Sequence, residues 1–157
     1  MIVVLLAALV VGATVLLLRH ALTVVAVRGP SMEPTLEHGA LVLVRRRGSV
    51  PGAGDIVVLH PVPSEAGFGS GLIIKRVAAT AGAPVPQDVA AAAGMVPGAP
   101  VPPGRFVVLG DNAAASADSR TWGLAHDELV YGRVIARLSG TRDVELRRRP
   151  PDPSAAV

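Results

Sequence analysis

Cysteine is absent from the 157 residues of this sequence, which excludes disulfides, a thiolate nucleophile and any cysteine-ligated metal site. Histidine is scarce as well: the chain has four, His20, His38, His60 and His126. Their spacing matches neither a metal-binding pattern nor an arrangement that favours a histidine-dependent catalytic triad. We therefore expect no metal and no other cofactor.

Aromatic residues are also few, with one Trp, one Tyr and two Phe in the chain. The core must therefore be built from Val, Leu, Ile and Ala, and the abundance of Val favours strands over helices. The formal net charge of +3 is mild, and so few aromatic side chains leave little for bases to stack on. We expect no nucleic-acid partner.

Lysine is nearly missing, since Lys75 is the single lysine among 15 basic side chains and the rest are arginines. Arginine stays protonated, whereas a lysine amine can lose its proton when it is buried. In a strand, Lys75 shares its face with Ile73 and Val77, and apolar burial can lower a lysine pKa from ~10.4 to about 7–8. Lys75 is thus a candidate general base. The alternative is a lysine that extends to solvent from an edge strand.

The N-terminus carries an uncharged, mainly apolar run of 17 residues, 2–18. At 1.5 Å per residue this reaches the lower limit for crossing a bilayer, so we predict a membrane anchor over residues 1–23. A cleaved signal peptide fits poorly because no basic region precedes the run; a buried core helix is the other alternative. The cations Arg19, Arg28 and the arginines at 45–47 follow the run, which by the positive-inside rule favours a cytoplasmic domain.

Residues 24–140 are predicted to form a β-rich domain, because short apolar segments alternate there with Gly and Pro. We expect loops at 61–71 and at 79–104, the second carrying one short strand, and no stretch after residue 28 shows a convincing helical periodicity. Residues 141–157 form a basic, Pro-rich tail that we expect to be disordered. The predicted strands cover residues 24–28, 40–47, 55–60, 71–78, 105–109 and 129–138.

Ser31 lies in a segment, residues 29–36, whose sequence is Gly-Pro-Ser-Met-Glu-Pro-Thr-Leu. The prolines on either side prevent regular structure, so the hydroxyl should sit on an exposed turn. A nucleophile needs that presentation, with its own N–H free to donate to a developing oxyanion. The alternative is an ordinary turn serine.

A polar loop, residues 110–123, follows the strand predicted at 105–109. Within it Ser116 can hydrogen-bond and orient an amine, while Asp118 and Arg120 are spaced to pair across a tight turn. The alternative is a solvated loop with an incidental ion pair.

Together these segments resemble the type I signal peptidase family of membrane-anchored serine/lysine proteases, over roughly residues 24–138. The resemblance implies a mainly β protein, a signal-peptidase-like all-β catalytic domain preceded by one N-terminal transmembrane helix, of the compact Gram-positive type. The motifs are Gly29-x-Ser31-Met32-x-Pro34-Thr35-Leu36, Gly54-Asp55-Ile56-Val57, Lys75-Arg76-Val77, and Gly110-Asp111-Asn112 through Ser116-x-Asp118-Ser119-Arg120 and Gly123.

The resemblance implies that Ser31 is the nucleophile and Lys75 the general base. Ser116 would orient Lys75, Asp118 and Arg120 would form a structural ion pair, and Met32 would help to form the substrate cleft. Two departures stand out. Where some members have a Ser that assists the oxyanion hole this chain has Gly29, and residues 81–83 read Ala-Gly-Ala where Pro-Gly-Asp is frequent. The other supporting residues are Gly29, Asp111 and Asn112.

The implied activity is that of a membrane-bound serine endopeptidase that removes signal peptides from exported pre-proteins, cleaving after small residues. Its implied partners are these pre-proteins, the lipid bilayer and the protein-export machinery. The implied location is the cell membrane, single-pass, with the catalytic domain on the extracytoplasmic side, which opposes the charge bias. One alternative is a dedicated maturation peptidase for a single precursor, such as a metalloenzyme. The other is an inactive, membrane-tethered binding domain.

Overall fold

A computed structural model describes residues 1–46, 51–61 and 71–139 of the chain. The expected tail at 141–157 and most of the loop expected at 61–71 lie outside the described residues. Helix α1 leads directly into the first of seven strands, and two four-residue helices interrupt the strands. The elements are α1 Ile2–Ala21, β1 Leu22–Ala26, β2 Leu41–Arg46, β3 Ile56–Leu59, β4 Ile73–Thr80, α2 Gln87–Ala90, β5 Arg105–Leu109, α3 Ser119–Trp122, β6 Ala125–His126 and β7 Val130–Ser139.

The strands form one sheet in the order β1-β2-β7-β3-β4-β5-β6, and every neighbouring pair is antiparallel. The prediction of a mainly β fold is confirmed. Strand β5 has the predicted bounds, and most other predicted strands are displaced by one or two residues. The displacement is two residues at β1 and at β4 and one residue at the others, and the two-residue strand β6 was not predicted. Strand β1 starts directly after α1 and ends before the turn at Gly29, where φ is 81°.

Both faces of the sheet are covered, and the central strand β3 is buried along its whole length. Ile56 and Val58 face a first cluster, which includes Met32, Leu36 and Ile74. Their neighbours on β3 face a second cluster on the opposite side, built from Val57, Leu59, Val77, Phe106, Val108 and Ala125. A strand buried on both faces reads as a continuous run of β-branched and Leu residues, as β3 does.

The segment between β4 and β5 differs from the sequence prediction. The short strand expected within residues 79–104 is not formed in this described segment, where Pro84 and Pro100 make an isolated bridge and α2 makes one helical turn. The segment has its own apolar core, a third cluster that includes Val85, Val89 and Val101 and joins the sheet through Ala79 and Val107. Small aliphatic side chains at irregular spacing fill this space without producing a strand pattern.

The part of helix α1 whose side chains are described is not packed in the core. The large apolar side chains described on it are mostly exposed, among them Ile2, Val4, Leu6, Leu9, Val10 and Val11. Within the described part of the chain, however, no helix has the combined length and apolar character that crossing a membrane requires. The helix ends at Ala21, two residues before the boundary predicted at 23.

Candidate active site

Lys75 lies on β4, which is paired on one side with β3 and on the other with β5. It is therefore not on an edge strand, and its side chain is only 4% exposed. Its face is the one predicted, because Ile73 and Val77 pack into the second cluster while Ile74 packs into the first. Within the described residues the Lys75 amine has no hydrogen bond and no ion pair.

Burial lowers the pKa of Lys75, since a charged amine is desolvated at this position. The carboxylate of Asp118 opposes this shift and the guanidinium of Arg120 adds to it. Lys75 thus lies within the electrostatic reach of the loop after β5. A buried amine with a lowered pKa gives up its proton more readily than a free lysine, which is a property that a general base needs.

Ser31 lies on the turn between β1 and β2. The carbonyl of Pro30 accepts a hydrogen bond from Glu33 N at 3.0 Å, and the carbonyl of Met32 accepts one from Leu36 N at 2.8 Å. The side chains of Met32 and Leu36 are buried beneath this turn in the first cluster. Ser31 itself is partly exposed, as a nucleophile that meets a substrate must be.

The loop after β5 holds this turn in place, because Asn112 N donates to the carbonyl of Ser31 at 3.0 Å. Gly110 makes the close approach possible. A Cβ at this position would collide with Oγ of Ser116 and would lie 2.6 Å from the carbonyl oxygen of Ser31. The side chain of Ser116 and the carbonyl of Ser31 both lie against Gly110, where there is no room for a side chain.

Asp118 organises the loop. Its side chain is fully buried and accepts from Gly110 N at 2.8 Å, from Ser116 Oγ at 2.7 Å and from Arg120 N at 3.2 Å. Arg120 adds a bidentate ion pair, with Nε at 2.9 Å and Nη2 at 2.6 Å. Burial alone would raise the pKa of Asp118, but the hydrogen bonds from Arg120, Gly110 and Ser116 outweigh it and lower that pKa. The carboxylate is therefore ionised at neutral pH.

Ser116 directs its hydroxyl proton to Asp118, whereas the resemblance assigns it to orienting Lys75. A hydroxyl has one proton to donate and two lone pairs. Since the proton is used on Asp118, the Ser116 oxygen can act toward an amine only as an acceptor. Such an acceptor takes an N–H of the lysine and leaves the amine lone pair to point elsewhere.

Arg76 is a functional neighbour that the sequence analysis did not single out. On the opposite face of β4 from Lys75, it makes a bidentate ion pair with Asp111, with Nε–Oδ1 at 2.8 Å and Nη2–Oδ2 at 2.6 Å. Its guanidinium also donates to the carbonyl of Gly54 at 3.0 Å and to Oγ1 of Thr35 at 3.5 Å. The signal lay in the strand register, which sets Arg76 opposite Leu109, two residues before Asp111.

Met32 is 1% exposed and packs in the first cluster. Asn112 contributes its main-chain N–H to Ser31, and Gly29 begins the turn. Among the described residues, no group of three or more His, Cys, Asp or Glu is arranged to hold a metal ion.

The loop after β5 therefore lies between the two reactive candidates. It binds the main chain of Ser31 through Asn112, and its Asp118 and Arg120 act electrostatically on Lys75. Ser31 Oγ and Lys75 Nζ are not hydrogen-bonded to each other in the described structure.

Comparisons with known proteins identify the family of this chain. The family model described as signal peptidase, peptidase S26, matches residues 1–90 and 84–139. The probable signal peptidase I-1 of Synechocystis is 31% identical in an alignment 134 positions long, which covers 69% of this chain and 66% of that protein. The chain thus spans slightly less than two thirds of that relative's length.

A signal peptidase I from Enterococcus faecalis V583, known from its crystal structure, matches with a TM-score of 0.39 at 23% identity, over 55% of this chain and 97% of that one. The resemblance seen in the sequence motifs is confirmed by the family match, which extends over nearly all of the chain before the tail. This chain belongs to the type I signal peptidase family, peptidase S26.

Proposed function

We propose that this protein is a serine endopeptidase that removes signal peptides from exported pre-proteins, with Ser31 as nucleophile and Lys75 as general base. The main support is Lys75, a residue that is 4% exposed and whose amine has a pKa lowered by burial. The position is occupied by the single lysine of a chain whose other basic residues are arginines. An arginine could not serve there, because it does not deprotonate.

In this mechanism the neutral amine of Lys75 takes the proton of the Ser31 hydroxyl while Oγ attacks the scissile carbonyl carbon. The resulting ammonium protonates the leaving amine, and the signal peptide stays attached to Ser31 as an ester. Lys75, neutral again, takes a proton from water, which attacks that ester and releases the peptide. Ser116, whose own proton is held by Asp118, would support these steps by accepting an N–H of Lys75 when substrate is bound.

The oxyanion of the tetrahedral intermediate needs hydrogen-bond donors. We assign the backbone N–H of Ser31 to this task, because it makes no hydrogen bond within the described residues and belongs to a turn that is fixed on both sides. Gly29 has no hydroxyl with which to assist it. The Ser31 N–H therefore has a larger share in stabilising the oxyanion than in family members that carry a Ser at the position of Gly29.

Replacing Ser31 with Ala is expected to lower kcat/KM by at least about 10³-fold, because no other group then forms the acyl-enzyme. The measurement is cleavage of a pre-protein with Ala at the first and third positions before the cut, followed by gel shift and mass spectrometry. A matched control is Thr80→Ala, which removes a hydroxyl at the end of β4. A Ser31→Ala variant that cleaves at the wild-type rate contradicts the assignment. A wild type with no cleavage at all favours the inactive binding domain.

We also propose that α1 attaches the peptidase domain to the extracytoplasmic face of the cell membrane. The support is the exposed apolar surface of α1, which the domain leaves uncovered. An enzyme held there meets the apolar segment of a signal peptide where that segment already lies, beside the bilayer and the export machinery.

The membrane attachment predicts that the full-length protein stays in the membrane pellet after washing with alkaline carbonate. The double substitution Leu6→Asp and Leu9→Asp should release most of it, because a charge within an apolar membrane segment costs about 2.5–3.5 kcal/mol by insertion scales. The control is Val96→Asp, which adds one charge at an exposed valine outside α1. Release of the unaltered protein by carbonate argues against the attachment.

A further inference from the structure

The turn that bears Ser31 has a hydrogen bond on its exposed edge that the mechanism above does not use. The backbone N–H of Gly29 donates to Nδ1 of His38 at 3.0 Å. Because Nδ1 accepts this bond, the proton of the neutral imidazole lies on Nε2. Building on the proposed function, we propose that His38 is a positioning residue, which holds the N-terminal end of the nucleophile turn so that the Ser31 N–H faces the oxyanion.

The base of this loop is closed by two main-chain hydrogen bonds that extend the pairing of β1 with β2. Val27 N donates to the carbonyl of Ala40 at 2.8 Å, and Gly39 N donates to the carbonyl of Val27 at 2.9 Å. The hydrogen bond from Gly29 to His38 is the next contact across the loop after these two. It spans the loop just before the chain reaches Pro30 and Ser31.

The main chain between Gly29 and Ser31 has few free torsions. The ring of Pro30 fixes its own φ, and the hydrogen bond from Glu33 N fixes its carbonyl. The carbonyl of Ser31 is held by Asn112 N. The peptide plane that contains the Ser31 N–H is thus held at its own carbonyl, that of Pro30, and at the next carbonyl, that of Ser31. Gly29 is the flexible residue on the N-terminal side of this plane.

The backbone of Gly29 is flexible because glycine has the largest conformational freedom of any residue. Here φ is 81°, a value that glycine adopts readily. Among the described residues, His38 provides the hydrogen bond to its N–H. Without that bond, Gly29 would sample more conformations and the Ser31 N–H would be aligned for a smaller part of the time. A well-aligned Ser31 N–H stabilises the oxyanion of the transition state more than it stabilises bound substrate. Poorer alignment should therefore lower kcat more than it changes KM.

The downstream half of the turn is held differently. Arg137 of β7, a largely buried side chain, donates to the carbonyl of Thr35 at 3.3 Å, and Arg76 reaches Oγ1 of the same residue. Replacing either arginine would disturb the core. His38 is exposed, so its side chain can be changed without creating a cavity.

The test compares three full-length variants in detergent, using the pre-protein with Ala at the first and third positions before the cut. His38→Leu, which has no acceptor, should lower kcat about five- to tenfold, the effect of one lost hydrogen bond, with KM changed less than twofold. His38→Asn should recover most of kcat, because Oδ1 of Asn stands where Nδ1 of His stood. His126→Leu, at an exposed histidine on β6, is the matched control and should cleave like the wild type.

A second readout is independent of catalysis. Residue-resolved hydrogen exchange should show a faster-exchanging Gly29 amide in His38→Leu and a protected one in His38→Asn. An unchanged kcat in His38→Leu overturns the inference, as does His38→Asn being as slow as His38→Leu. If the wild type cleaves no faster than Ser31→Ala, the proposed function fails and this inference with it. If the wild type is active and the His38 variants behave alike, the inference fails alone.

Discussion

Lys75→Met is expected to lower kcat/KM by at least about 10³-fold and, at the same time, to make the protein more stable. Methionine has nearly the length of lysine and is apolar, so it should fit the buried position between Ile73 and Val77 on β4. It cannot accept a proton from Ser31. Loss of activity with a gain in stability is the result expected of a buried amine that serves chemistry at the expense of folding.

The gain in stability should depend on pH in a defined direction. Burial lowers the pKa of Lys75 in the folded protein, so below ~10.4, the ordinary value for lysine, the unfolded chain binds a proton that the native state holds less tightly. The wild type is therefore destabilised as the pH falls from that value to the folded-state pKa, and the penalty is constant below it. The difference between Lys75→Met and wild type should be largest there and should vanish above ~10.4.

Urea unfolding from pH 6 to pH 10 measures this difference, with Ser31→Ala as the control that loses activity without removing the amine. In the wild type, kcat/KM should rise with pH as Lys75 deprotonates, since the neutral amine is the active form. If Lys75→Met lowers the free energy of unfolding as well as kcat/KM, the lysine has a structural role. A stability difference that does not change with pH would indicate that the amine titrates as it does in the unfolded chain.

Six of the seven strands were predictable because Val- and Ile-rich segments alternate with Gly and Pro along the chain, whereas β6 is only two residues long. The helices α2 and α3 were not, because each has four residues and a helical period needs more than one turn to appear in a sequence. The third cluster was missed for a related reason. Its members, such as Val85 and Val101, lie far apart in a turn-rich segment, and tertiary packing alone brings them together.

In the candidate site, the sequence singled out the residues proposed to react but not all of their contacts. The face occupied by Lys75 followed from strand alternation and needed no tertiary information. The ion pair between Arg76 and Asp111 required the pairing of β4 with β5, which no local pattern reports. The hydrogen bond from Gly29 to His38 joins residues nine positions apart across a loop, and an isolated histidine gives no sign of it.

Asp118→Asn is expected to lower the free energy of unfolding by about 2–4 kcal/mol. The carboxylate is fully buried and accepts hydrogen bonds from Gly110, Ser116 and Arg120, and an amide can accept them with only one of its two atoms. Breaking a buried pair by removing one partner costs about 3–5 kcal/mol. The side chain of Arg120 is 25% exposed, and water will compensate part of its charge, so we expect a smaller loss.

The same substitution should shift the pH dependence of cleavage in a predictable direction. Asp118 raises the pKa of Lys75 and Arg120 lowers it, both by charge. Asp118→Asn would remove the first effect and leave the second, so the amine should lose its proton at lower pH and the acidic limb of kcat/KM should move to lower pH. A purely structural Asp118 would lower stability without moving that limb.

The double variant Asp118→Asn with Arg120→Met separates charge from packing. Removing the guanidinium removes the charge that the single substitution leaves uncompensated, so the double variant should recover part of the lost stability. It should also return the acidic limb toward the wild-type position, because Lys75 then has neither the neighbouring anion nor the neighbouring cation. A double variant that is less stable than Asp118→Asn by the full cost of Arg120→Met alone would show that the two side chains act independently, contrary to the bidentate pair that joins them.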